Sequence, residues 1–176
     1  VLTAKGGAVS FKGKGDITNN ALIEANGSVY IISTGGKVTN RAGIIAGKNF
    51  ATASAASPFS LRARARAVDN GSVVISGSSG VINDTKDSIQ ANDSVLLESS
   101  AGDISNSSSI TATNGSVEIN GNGDVNNTGA NISAGNNVSI TAATGTLSNS
   151  SAITAANNVS ITSTAGAVEN SSAVTA

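Results

Sequence analysis

Asn92-Asp93-Ser94-Val95-Leu96-Leu97-Glu98-Ser99-Ser100-Ala101-Gly102-Asp103-Ile104-Ser105-Asn106, running on to Ile110-Thr111-Ala112, holds three short apolar points separated by turn-forming residues. Val95 and Leu97 stand two positions apart, the period of a strand with one face turned inward. The same wording recurs along the chain. Val73, Val95, Val117, Val138 and Val159 are spaced by 22, 22, 21 and 21 residues, each with an apolar residue two positions on. A fixed period of this length indicates a solenoid.

The phase extends back through Phe50 and Val29 to Val9. A second apolar point follows each first strand, at Ile17, Val38, Phe59, Val81, Ile104, Val125, Leu147 and Val168. A third opens the step Ile23-Glu24-Ala25, repeated from Ile44, Ile89, Ile110, Ile132, Ile153 and Val174. Three inward-facing strands per unit describe one triangular coil. The expected fold is therefore all-β: a right-handed parallel β-helix (β-solenoid) with three short strands per coil and about eight coils of 21–22 residues. At about 4.8 Å per coil, it would be roughly 38 Å long. Residues 1–176 read as a single β-helix segment, with residues 48–70 an atypical coil. Leu2-Thr3-Ala4 and Val174-Thr175-Ala176 are the same step of the coil, and neither end shows a polar cap. The expectation is an uncapped segment of a longer solenoid or filament.

Composition agrees with thin stacked layers: 39% of residues are hydrophobic but only 2% are aromatic. No apolar run is long enough to span a bilayer as a helix. Cys and His are both absent, which removes disulfides, thiolate metal sites and the commonest general base. No cofactor or metal site is read from the sequence, and the reading is of a protein that is not an enzyme. The charge is uneven. All ten Lys and Arg lie within residues 1–86, giving that part +6, whereas residues 87–176 carry only acidic groups and −7.

Asn recurs in register at two corners. One column follows the second strand, at Asn20, Asn40, Asn83, Asn106, Asn127, Asn149 and Asn170. The other precedes the first strand, at Asn70, Asn92, Asn114, Asn136 and Asn157, with Asn26 and Asn49 close to phase. Stacked side chains of this kind hydrogen-bond along the column, and a left-handed backbone turn is expected at these corners. The same columns generate twelve Asn-x-Ser/Thr tripeptides, which are also glycosylation acceptors.

Two surfaces stand out as candidate sites. The coil from Phe50 carries the only proline, Pro58, and the run Leu61-Arg62-Ala63-Arg64-Ala65-Arg66-Ala67. Period-two alternation turns Arg62, Arg64 and Arg66 outward, and Arg41 and Lys86 share the column of Arg62. The expected result is a basic patch of Arg41, Arg62, Arg64, Arg66 and Lys86, suited to a sulfated or sialylated glycan. Nucleic acid fits less well, because the patch has no flanking exposed aromatics. On the first strands, the outward positions hold Tyr30, Ile32, Val74 and Leu96, an apolar stripe suited to docking a partner.

The unit from Asn92 to Ala112 resembles the repeats of filamentous-haemagglutinin-like exoproteins, which are large bacterial surface adhesins exported by two-partner secretion. The resemblance is clearest over residues 70–176. It implies a secreted or cell-surface shaft serving adhesion, biofilm formation or toxin delivery. The implied partner is a glycan or protein on a host or neighbouring cell, with no membrane insertion. The family's amino-terminal secretion domain, with its Asn-Pro motifs, has no counterpart here, since Pro58 follows Ser57. Two other readings stay open: a filament subunit stacking head to tail, and a carbohydrate-binding or carbohydrate-active β-helix. If the basic patch binds anions, Arg62→Ala with Arg64→Ala leaves folding intact and weakens retention on heparin. Unchanged retention would remove the anion site.

Overall fold

The computed structural model describes residues 1–48, 71–84 and 87–176. Three parallel sheets run its length, and no helix forms among the described residues. First strands, from Val9–Gly13 to Val159–Ser163, make a seven-stranded sheet; second strands, from Ile17–Asn19 to Val168–Asn170, make another. Third strands, from Leu2–Ala4 to Val174–Thr175, make an eight-stranded sheet. Each coil thus spends one strand on each wall, and the solenoid expected from the repeat is the fold.

Each wall sends alternate residues inward. In the fifth coil these are Val117 and Ile119 from the first strand, Val125 and Asn127 from the second, and Ile132 and Ala134 from the third, all buried. The inward Asn127 is polar, and an unpaired amide there would be costly.

The Asn column removes that cost. Nδ2 of Asn19 donates to Oδ1 of Asn40, and the pattern continues through Asn83, Asn106, Asn127 and Asn149 to Asn170, with every bond 2.7–2.8 Å long. Asn19 starts the ladder, where the sequence pointed to Asn20. Pairing of Ile17 with Val38 sets the register, and Asn19 falls opposite Asn40. The ladder is continuous for seven rungs.

Two further ladders join side chains to the backbone of the next coil. Before the first strands, Ser28 Oγ accepts the N–H of Ser72, Ser94 Oγ that of Ser116, and Ser116 Oγ that of Asn137. Before the second strands, Asp16, Asp103 and Asp124 accept through Oδ1 from the N–H groups of Lys37, Asp124 and Thr146. No buried side-chain nitrogen or oxygen among the described residues lacks a hydrogen-bond partner.

The expected left-handed turns at Asn do not occur. Among the described residues, positive φ is confined to Gly47, Gly71, Gly80 and Gly129. The Asn side chain bonds along the column from an ordinary backbone.

The number of coils also differs from the expectation. Val29 pairs directly with Val73, Val38 with Val81 and Ile44 with Ile89, so no rung intervenes between the second coil and the one that begins at Val73. The stack has seven coils. The atypical coil expected at residues 48–70, with Phe50, Pro58, Phe59 and Leu61, lies almost wholly outside the described residues. Gly47 and Gly71 flank that stretch with φ of 74° and 71°, and a side chain on Gly71 would collide with the Gly47 backbone. The two flanks therefore meet, and four residues, Gly47, Lys48, Gly71 and Ser72, suffice to turn an ordinary corner. Elsewhere Asn26, Gly27 and Ser28, or Thr113 to Ser116, do the same. A variant with Lys48 joined to Gly71, lacking residues 49–70, is expected to keep its β circular dichroism and to melt within about 5 °C of the parent. Loss of cooperative folding would show that the excised stretch belongs to the stack.

Candidate functional site

The register collects the outward apolar residues on one face. Tyr30 is opposite Val74 and Val74 opposite Leu96, which makes a column on three consecutive rungs. Ile32 lies in the neighbouring column, opposite Ser76. All four side chains are partly exposed. The column becomes polar on both sides, with Ser10 beside Tyr30 and Glu118 beside Leu96, followed by Ser139 and Ser160. The stripe read from the sequence is therefore one bounded patch. It is contiguous because the second and third coils touch, which spacing alone does not reveal.

Of the five basic-patch residues, only Arg41 is among the described residues, and it is exposed. Arg62, Arg64, Arg66 and Lys86 lie outside them. Direct pairing of Ile44 with Ile89 leaves no rung between the coil that carries Arg41 and the corner bearing Asp84 and Asp87.

That acidic corner opens into a shallow groove of about 640 Å³, lined by Asp84, Asp87, Ser88, Ser107, Ser108 and Gly129 among others. Ser107 Oγ donates to Asp84 Oδ1 at 3.0 Å. Both carboxylates are exposed, and the rest of the lining is hydroxyl and backbone. Sequence reading missed this groove because its residues belong to three different coils.

The described cations cluster at one end of the stack. Lys5, Lys12, Lys14, Lys37, Arg41 and Lys48 all precede the third coil, and Lys48 forms an ion pair with Glu24. The rod is therefore electrostatically polar along its axis.

The structure sorts the Asn-x-Ser/Thr sites. Asn83, Asn106 and Asn149 are buried in the ladder, and Asn170 is bonded to its end. The second expected column splits into two runs, since Asn92 and Asn114 stand three residues before their strands whereas Asn136 and Asn157 stand two before. Asn114 bonds to Asn92 and Asn157 to Asn136. Asn126 and Asn131 are exposed acceptors outside both arrays. Asn70 and Asn49 lie outside the described residues.

Comparison with known proteins gives no match to a protein family, to a curated protein or to a solved structure.

The central Asn is a sensitive point of the ladder. In Asn106→Asp an ionised carboxylate would still accept from Asn83 but would face the Asn127 oxygen with no donor. Burial raises the carboxyl pKa of the folded variant above that of the unfolded chain. The variant's deficit is therefore smallest below about pH 4, grows as pH rises, and is complete above the raised folded pKa. We expect about 2–4 kcal/mol less stability than the parent at neutral pH. Denaturant titrations of both proteins across pH check this, and a deficit independent of pH would contradict it.

Proposed function

We propose that the chain is a structural shaft segment of a secreted bacterial surface adhesin. The observation that carries this reading is the uninterrupted seven-rung stack, joined across three sheets and along a continuous buried Asn ladder. Every coil shares hydrogen bonds and core contacts with both neighbours, so load is spread over many parallel bonds and the rod holds its length. A shaft of this kind sets a distant binding surface away from the cell envelope. Short exposed Ser, Thr and Asn side chains on its later coils keep it solvated. The resemblance of the Asn92–Ala112 unit to filamentous-haemagglutinin-like repeats supports secretion and a cell-surface location. The partner on this reading is a glycan or protein of a host or neighbouring cell.

Charge polarity favours a second reading, a filament subunit that stacks head to tail. A basic end meeting an acidic end is a heterologous contact, and it propagates when it does not close. Filaments of the purified chain that shorten in high salt would favour this reading. The shaft reading is tested on the producing cells. Antibody raised against the chain is expected to label intact cells at a distance from the envelope, and label seen only after lysis would overturn it.

A further inference from the structure

We propose that the outer face of the first-strand sheet pairs two copies of this chain side by side, with the rods antiparallel and a two-fold axis along the strand Val73–Gly77. Val74 is the midpoint of the apolar column, with Tyr30 one rung below and Leu96 one rung above. Two rungs from the midpoint, at about 10 Å on either side, the charges are opposite. Lys12 stands on the first rung and Glu118 on the fifth, both exposed.

A two-fold axis along the middle strand leaves each column facing itself and reverses the order of the rungs. Val74 then meets Val74 of the second copy, and Tyr30 meets Leu96. Lys12 comes opposite Asn120 and diagonally beside Glu118, one column over, at both ends of the contact, so the pair carries two such meetings. Glu98 lies over Ile32 with its carboxylate at the rim, where Ser76 Oγ already donates to Oε2 at 3.2 Å. Strands of the two faces run in line, the arrangement that twisted sheets adopt when stacked about 10 Å apart.

The opposite arrangement fails on the same residues. Parallel rods related by a two-fold along the apolar column set Glu118 against Glu118, and like charges facing each other disfavour contact. Whole-chain polarity points the same way, because the cations of the first two coils lie next to the acidic half of an antiparallel neighbour. Two columns over five rungs make a small face, so the pair is weak, with Kd on the order of 10–100 µM.

Sedimentation equilibrium of the full chain from about 1 to 500 µM tests this. The expected result is a reversible shift from 17.1 kDa toward twice that mass. Val74→Glu sets two carboxylates on the axis and is expected to raise Kd by at least about tenfold. Val74 points outward, so the monomer should fold; equal circular dichroism and melting of the variant confirm that. Lys12→Glu alone should weaken the pair several-fold, and adding Glu118→Lys should restore it. Within one chain those residues are four rungs apart, so restoration reports contact between copies in the antiparallel order. A wild-type monomer at every concentration would overturn the proposal, as would association untouched by Val74→Glu or no restoration by the double exchange. A monomeric wild type whose Val74→Glu variant melts well below it would also overturn it, by showing that the chain covers its own face.

Discussion

Each coil bonds to the next in a single register, Val on Val and Asn on Asn, and everything else in the molecule depends on that constraint. A parallel step of this kind repeats whatever it is given. An apolar position becomes a continuous core, and a polar one becomes a continuous ladder. A one-residue slip would turn every inward side chain out, and here it would break three sheets and three ladders together. The register is therefore fixed collectively, with no single contact deciding it.

The Asn ladder shows how a polar residue can occupy the centre of an otherwise apolar stack. Each amide has donors and acceptors on opposite sides, so a column one rung apart satisfies itself. All the amides point the same way, from Nδ2 of one coil to Oδ1 of the next, and bonds aligned in this manner polarise one another. Ser and Asp perform a related task at the corners, where their oxygens accept a backbone N–H from the following coil. Short side chains suit this work, because a longer one would reach past its neighbour.

Most of the fold was legible in the sequence. The Val-x-Ile step, the Ile-x-Ala step and the Asn that follows each second strand mark the three walls, and all recur in phase. The seven coils could not be counted from spacing, because residues 49–70 number 22, about one period. A stretch of that length between the second and third coils preserves the phase on either side whether or not it is a rung. Phe50 and Phe59 fell at plausible inward positions and so passed as core. Gly47 and Gly71 gave no warning either, since Gly135 and Gly115 fill the equivalent corner positions in later coils. Tyr30, Ile32, Val74 and Leu96 were found from alternation alone, but their contiguity needed the direct pairing of Val29 with Val73. The groove at Asp84 and Asp87 left no mark in any one repeat, because it is assembled from corners of separate coils.

The proposed function rests on repetition as well. A rod in which each rung supports the next suits a shaft, and differences among rungs are confined to outward positions, where they cost the stack little. The apolar patch and the charge polarity are variations of that sort. The central claim is the unbroken register through the second and third coils. Nuclear Overhauser contacts between the backbones of Ile31 and Ile75 test it most directly. The account predicts strong contacts between these residues, 44 positions apart in sequence and one rung apart in space. Contacts from Ile31 to residues within 49–70 in their place would contradict it.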